Sequence, residues 1–159
     1  AFGAFTEISY ATPQEAKQAL GHLAYTLEGI RSLSSIKPIH AVVEHDGGVL
    51  EDDFIFGAAT NSTTVAGLVK LREDAVDLAD GLFEVLLIRN PRDLIELGTI
   101  LSSVLSADFS GPRVSFFKSR RLRFRFDGPV AWTRDGEDGG SHSVVEIQNI
   151  RPGVELAVG

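Results

Sequence analysis

The chain has no cysteine and no methionine in 159 residues. The first absence excludes disulfides, thiolate metal sites and a cysteine nucleophile. No apolar run approaches the roughly 20 residues that a membrane-spanning helix needs. The longest are Phe83 to Ile88, which has a glutamate inside it, and Ala41-Val42-Val43. Basic residues are the scarcer charge, 15 against 22 acidic ones, for a net charge of −7. A protein whose main work is coating nucleic acid is normally basic, so no nucleic-acid partner is expected. No signal peptide opens the chain, which reads as soluble and intracellular.

The length suits one domain with a real core, and a 43% apolar, 23% charged composition is ordinary for a globular fold. The opening Ala1-Phe2-Gly3-Ala4-Phe5 has no polar lead-in. It reads as the middle of a folded region, so the chain is expected to be a fragment of something longer.

Periodicity predicts a short strand over 5–10. Thr12-Pro13-Gln14-Glu15 then reads as a capping box with proline at the first helical position. Leu20, Leu23, Ala24, Leu27 and Ile30 continue it as an amphipathic helix ending near Leu33. Ile39 to Glu44 alternates, Asp46-Gly47-Gly48 turns, and Leu50 to Ala58 runs back as a β-hairpin. Leu82 to Ile88 reads as a buried strand. Asn90-Pro91-Arg92-Asp93 predicts a second helix, running through Leu94, Leu97, Ile100, Leu101 and Leu105. Beyond Gly111-Pro112 everything looks β: Arg121, Arg123 and Arg125 alternate with Leu122, Phe124 and Phe126, and further strands fall at 129–132, 143–147 and 154–158. The predicted fold is α+β and mainly β, an antiparallel β-sandwich with two flanking helices, filling 1–159 as one domain.

Two places carry chemistry. Trp132-Thr133-Arg134-Asp135-Gly136-Glu137-Asp138-Gly139-Gly140 packs acids and glycines between two strands, more than a simple hairpin needs. Asp135 and Glu137 could share a cation or divide acid and base roles, or they are solvated turn acids. Ahead of the buried strand, Asp77 and Asp80-Gly81-Leu82 form an acidic turn. A carboxylate and two backbone carbonyls there are what a hard cation such as Mg²⁺ takes as ligands, although acidic loops are commonly just solvated. His22, His40, His45 and His142 show no metal-ligand spacing and read as surface or capping residues. No Gly-x-Ser-x-Gly elbow, Walker loop or dinucleotide Gly-x-Gly-x-x-Gly is present.

Several of these motifs, taken together and in order, resemble a known family. Phe2 to Tyr10, Leu20-Gly21-His22-Leu23-Ala24-Tyr25, Glu28-Gly29-Ile30, Thr60-Asn61-Ser62, Ala66-Gly67, Asp80-Gly81-Leu82-Phe83 and Asp135 to Gly140 are similar to the part following the nucleotide-binding half in bacterial soluble diacylglycerol kinases. The resemblance spans essentially the whole chain. It implies the C-terminal β-sandwich of a lipid kinase related to sphingosine kinases and, more remotely, to NAD kinases. The other half of such an enzyme carries a Gly-Gly-Asp-Gly-Thr nucleotide loop, which this chain lacks.

By that resemblance Glu137 is the general base, Asp135 and Gly136 shape the approach to ATP, and Asp80 with the carbonyls of Asp77 and Leu82 holds a structural Mg²⁺. The implied partners are ATP and diacylglycerol or a similar lipid, with a cytoplasmic location peripheral to the membrane. Phe116-Phe117-Lys118 and the arginine ridge are the candidates for contact with anionic lipid, against a plain core strand. Unpaired sandwich edges leave a homodimer open. Relatives often carry a second acid before the Asp-Gly and a proline upstream, where this chain has Ala79 and Glu73. The loop is one residue longer, and a Gly-Gly-Gly is reduced to Ala66-Gly67. These departures leave metal affinity at Asp80 open. The alternatives are a kinase for sphingosine, ceramide or another hydroxyl lipid, and a non-catalytic lipid- or partner-binding sandwich.

Overall fold

A computed structural model describes residues 1–4, 6, 36–65, 69–71, 77 and 80–150. The helix predicted over 12–33 and the strand over 154–158 lie outside the described residues, as do most of the strand predicted over 5–10, Glu73, Ala79 and Ala66-Gly67. Among the described residues the fold is mainly β with one helix. The strands are β1 (Phe2–Gly3), β2 (Ile39–His45), β3 (Gly48–Thr60), β4 (Thr64–Val65), β5 (Val69–Lys70), β6 (Phe83–Arg89), β7 (Val114–Ser119), β8 (Arg121–Arg134) and β9 (Glu137–Gln148), with α1 (Leu94–Leu105) between β6 and β7.

All the pairings are antiparallel. One seven-stranded sheet runs β9-β8-β2-β3-β6-β7, and β4 and β5 form a separate ribbon. The short β1 shares the lane of β2: Phe2 pairs with Gly57 of β3 and with Trp132 of β8, beyond the point where Ile39 of β2 meets Phe54. The hairpin predicted from Ile39 to Glu44 and Leu50 to Ala58 is present, with a two-residue Asp46-Gly47 turn closed by the His45–Gly48 pair.

The sheet is strongly curled. Strands β2 and β7 are separated by two others in the sheet order, yet the His45 and Phe117 rings lie 4.3 Å apart. At the same end Asp46 accepts from the Arg120 N–H at 2.6 Å, and its own N–H donates to Ser119 Oγ at 3.1 Å. Strand spacing is about 4.8 Å, so contacts across two intervening strands require the sheet to roll towards a barrel. The two walls of the expected sandwich are thus parts of one rolled sheet.

Two cores follow from the two faces. The inner one joins Phe2, Ala41, Val43, Phe54, Val85, Leu87, Leu122, Phe124, Phe126 and Trp132, with Val145 and Ile147 of β9 packed on it. The outer one joins Ile55, Phe56, Ala58, Leu86 and Ile88 to Leu97, Ile100, Leu101 and Val104 of α1. Phe54 faces inward while Ile55 and Phe56 both face outward, because a bulge interrupts the β3–β6 register between Phe54 and Phe56. On β6 the alternation of Val85 and Leu87 with Leu86 and Ile88 feeds both cores, which is why that strand reads as continuously apolar.

The helix differs from its predicted start. The Asn90 N–H donates to the Asp53 carbonyl at 2.8 Å and still belongs to the sheet. The cap is Asp93, whose carboxylate accepts from the Glu96 N–H at 2.7 Å. Val104 rather than Leu105 completes the buried stripe, leaving Leu105 exposed. No helix among the described residues is long and apolar enough to cross a membrane.

Candidate active site

Strands β8 and β9 meet in a two-residue turn. Asp135 and Gly136 both have positive φ, 51° and 82°, and Arg134 pairs with Glu137 across them. That is the type I′ geometry for which Asp-Gly is a preferred sequence, because its twist matches that of the strands. The remaining glycines serve a second irregularity. Ala131 pairs with Ser141 and Thr133 with Asp138, so Trp132 alone faces Gly139 and Gly140. Two residues against one is a β-bulge. A side chain at Gly139 would stand 3.0 Å from the Trp132 carbonyl oxygen, and Gly140 has φ of 78°. The Gly140 N–H donates to Asp138 Oδ1 at 2.9 Å, and His142 Nε2 lies 2.9 Å from the Gly139 carbonyl. The stretch read as an acid- and glycine-rich turn between two strands is therefore a tight two-residue turn followed by a bulged strand.

The hairpin forms one wall of a cleft of about 750 Å³. Asp135 and Gly136 line it, facing Thr60, Ser62 and Thr64 from the end of β3 and the start of β4. Ala59, Phe83, Trp132, Val145 and Ile147 supply apolar lining. The hydroxyls are held by their own turn: Thr60 Oγ1 donates to the Thr64 carbonyl at 3.3 Å, and the Thr64 N–H donates to Ser62 Oγ at 3.2 Å. A polar rim over an apolar lining suits an amphiphile with a hydroxyl or phosphate head. Thus the Thr60-Asn61-Ser62 and Asp135-Gly136 motifs, distant in sequence, border the same cleft. Glu137 does not line it. It opens β9 at the hairpin, exposed, one residue beyond the lining Gly136.

The acidic turn feeds the opposite wall, since Phe83 follows directly on Asp80-Gly81-Leu82. The Asp80 N–H donates to the Asp77 carbonyl at 3.1 Å, Asp80 Oδ1 accepts from the Leu82 N–H at 2.8 Å, and Oδ2 accepts from the Lys118 ammonium at 2.9 Å. The same ammonium lies 3.4 Å from Oε1 of Glu84, a fully buried carboxylate. The Asp80 hydrogen bond, with Glu84 beside it, holds the Lys118 pKa above its ordinary value. As they stand these groups do not fit a divalent cation, because the side of Asp80 where an ion would dock is taken by an ammonium. Among the described residues no group of three or more His, Cys, Asp and Glu side chains is arranged to hold a metal.

Sequence reasoning missed the contact of Lys118 with Asp80. Its neighbours Phe116 and Phe117, weighed as lipid contacts against a plain core strand, pack on the outer and inner cores respectively, as a core strand does. The arginine ridge is largely paired across strands, Arg123 with Glu146 at 3.3 Å and Arg125 with Glu44 at 3.1 Å. His40 pairs with Asp53, and His45 Nδ1 accepts from the Gly47 N–H.

Comparison with known proteins agrees with this architecture. Residues 7–158 match the family described as the YegS C-terminal NAD kinase beta sandwich-like domain. The diacylglycerol kinase of Bacillus subtilis (strain 168) is 28% identical over 140 residues, 87% of this chain and 45% of the relative. That of Staphylococcus aureus (strain JH9) is 29% identical over 139 residues, 87% of this chain and 44% of the relative. The chain therefore spans less than half the length of these curated relatives. Two solved structures assigned as diacylglycerol kinases from Bacillus anthracis str. Sterne share the fold at a TM-score of 0.58. One is 14% identical, covering 82% of this chain and 42% of that one; the other is 17% identical, covering 86% and 46%. A match over nearly the whole length makes this chain a member of the YegS C-terminal NAD kinase beta sandwich-like domain family.

Proposed function

We propose that this chain is the C-terminal domain of an ATP-dependent lipid kinase that phosphorylates diacylglycerol to phosphatidic acid. The observation that carries the reading is the cleft shared by Asp135-Gly136 and the Thr60–Thr64 turn, apolar along Phe83, Trp132, Val145 and Ile147. Relatives named diacylglycerol kinase support the choice of lipid. In this reading the acyl chains lie against the apolar lining and the free hydroxyl sits at the rim. The Asp135-Gly136 turn, with no bulky side chain at its second position, borders the nucleotide.

Glu137 acts as general base from its place beside the rim. It takes the proton of the lipid hydroxyl as that oxygen attacks the γ-phosphorus, and the bond to the β-γ bridging oxygen breaks to release ADP. Phosphoryl transfer of this kind depends chiefly on positioning and charge stabilisation, so the base is a smaller contributor. Mg²⁺ travelling with ATP would neutralise phosphate charge. The enzyme works at the membrane surface, where its acceptor resides.

The test uses the complete natural polypeptide. Glu137→Gln is expected to lower turnover about 10²-fold or more, the usual reach of a general base, while the melting midpoint stays put. Activity within a few-fold of wild type would remove Glu137 from the role. The 159-residue chain by itself, without a Gly-Gly-Asp-Gly-Thr loop, is expected to phosphorylate no lipid. Phosphorylation of sphingosine or ceramide in preference to diacylglycerol would redirect the substrate and keep the reaction class.

A further inference from the structure

One ammonium lies between two carboxylates at the entrance to β6. Lys118 stands directly across from Glu84 in the β6–β7 register, and it reaches back to Asp80 in the preceding turn. The Glu84 side chain is fully buried, whereas those of Asp80 and Lys118 keep 21% and 31% of their surface exposed. A buried carboxylate that stays ionised needs a compensating charge close by, because it has lost its hydration. Asp80 adds a second negative group whose two oxygens are both engaged, one by the Leu82 N–H and one by Lys118. Positive charge is thus demanded at this point whatever reaction the cleft serves. The Asp77 carbonyl, a second candidate ligand, is drawn into the turn by the Asp80 N–H. Mg²⁺ prefers near-octahedral oxygen coordination and gives up water reluctantly. To reach Asp80 Oδ2 it would have to displace a like charge tethered to β7.

We propose that Lys118 supplies, as part of the chain, the positive charge that a divalent ion would otherwise bring to the Asp80 turn. Asp80 is then held without metal, and Phe83, which follows Asp80-Gly81-Leu82 into the cleft wall, is held in place at any Mg²⁺ concentration. Glu84, buried and directly across from Lys118, is the group that favours a cation there. Replacing Lys118 by an uncharged residue of similar length converts the pair of carboxylates into a metal site.

The experiment compares wild type with Lys118→Met in the complete, nucleotide-free polypeptide. Melting is followed in EDTA and in excess Mg²⁺, and crystals soaked in Mn²⁺ are read by anomalous scattering. Wild type is expected to melt at the same temperature in both conditions and to show no Mn²⁺ peak beside Asp80. Lys118→Met is expected to melt lower in EDTA, to regain about 5 °C or more in saturating Mg²⁺, and to show a peak between Asp80 and Glu84. A Mn²⁺ peak at Asp80 in wild type overturns the proposal. So does a Lys118→Met variant that binds no metal, since the pocket then has no demand for a cation. If Lys118→Met does not fold, Lys118→Arg and wild type decide: metal-insensitive melting in both supports the proposal, and metal-sensitive melting of wild type refutes it.

Discussion

The ring of Phe2 fills the space that a side chain at Gly57 would occupy: a Cβ there would come within 2.2 Å of Phe2 Cε1. Phe2 has no room to retreat. Its ring meets Phe124, Phe126 and Trp132 at centroid distances of 5.7, 5.1 and 5.2 Å. The missing side chain on β3 therefore lets β1 lie in the lane beyond β2. Gly57→Ala is expected to cost about 1–3 kcal/mol through overpacking. At about 2–4 °C per kcal/mol for a chain of this size, thermal melting will detect the loss. Phe2→Leu in the same chain should recover part of it. Additive losses in the double variant would mean the two residues do not share that space.

The Asp135-Gly136 turn separates a folding role from a binding role. Asn-Gly is as well suited to a type I′ turn as Asp-Gly, so Asp135→Asn should leave stability within about 0.5 kcal/mol. Gly136→Ala puts a Cβ at φ of 82° and should cost more than about 1 kcal/mol. If Asp135 borders the nucleotide, the asparagine variant of the complete polypeptide will show a changed KM for ATP at unchanged melting temperature. An unchanged KM would confine Asp135 to the turn.

What the sequence makes legible depends on where water touches the strand. Arg121 to Phe126 declares itself because one face is wet, and β6 because neither is. The β8–β9 hairpin announces its turn through Asp135-Gly136 but hides its bulge, since Gly139 and Gly140 look like more loop until Trp132 is seen opposite them. Asn90-Pro91 looks like a helix start, yet its N–H is committed to Asp53 across the sheet, a fact set by register and not by local preference. The Lys118–Asp80 contact joins residues 38 apart and follows from the pairing of β6 with β7. Nothing local marks it beyond the lone glutamate in an apolar run. The two wings of the cleft were readable as motifs, whereas their meeting depended on how the sheet rolls.

His40 gives a pH-dependent readout of the β2–β3 face. Its Nδ1 lies 3.0 Å from Asp53 Oδ1, and that hydrogen bond raises its pKa above the ordinary value near 6.5. Desolvation works against the rise, and Asp127 and Glu51 add to it. Folding therefore favours the protonated ring. The stabilisation is complete below the unfolded value and is lost as pH rises through the folded one. Imidazole resonances followed by NMR should give a midpoint above that of an unfolded-chain histidine, and Asp53→Asn should bring it down. A midpoint at or below 6.5 in the wild type would contradict the pairing.

The start of α1 sets the cap seen in the structure, Asp93, against the start expected from the sequence three residues earlier, at Asn90. Asp93 has extended backbone angles, φ −152° and ψ 174°, and its carboxylate accepts from the Glu96 N–H. Removing that acceptor exposes a donor at the end of a helix whose Leu97, Ile100, Leu101 and Val104 close the outer core. Asp93→Ala is expected to cost about 1 kcal/mol, within the 0.5–2 range for such caps. Asn90 contributes only backbone to the ladder through its N–H, so Asn90→Ala should change stability by less than about 0.5 kcal/mol. Denaturant melts of the two variants are the measurement. The reverse order of effects would put the helix start back at the asparagine and would require the Asn90–Asp53 sheet contact to be absent in solution.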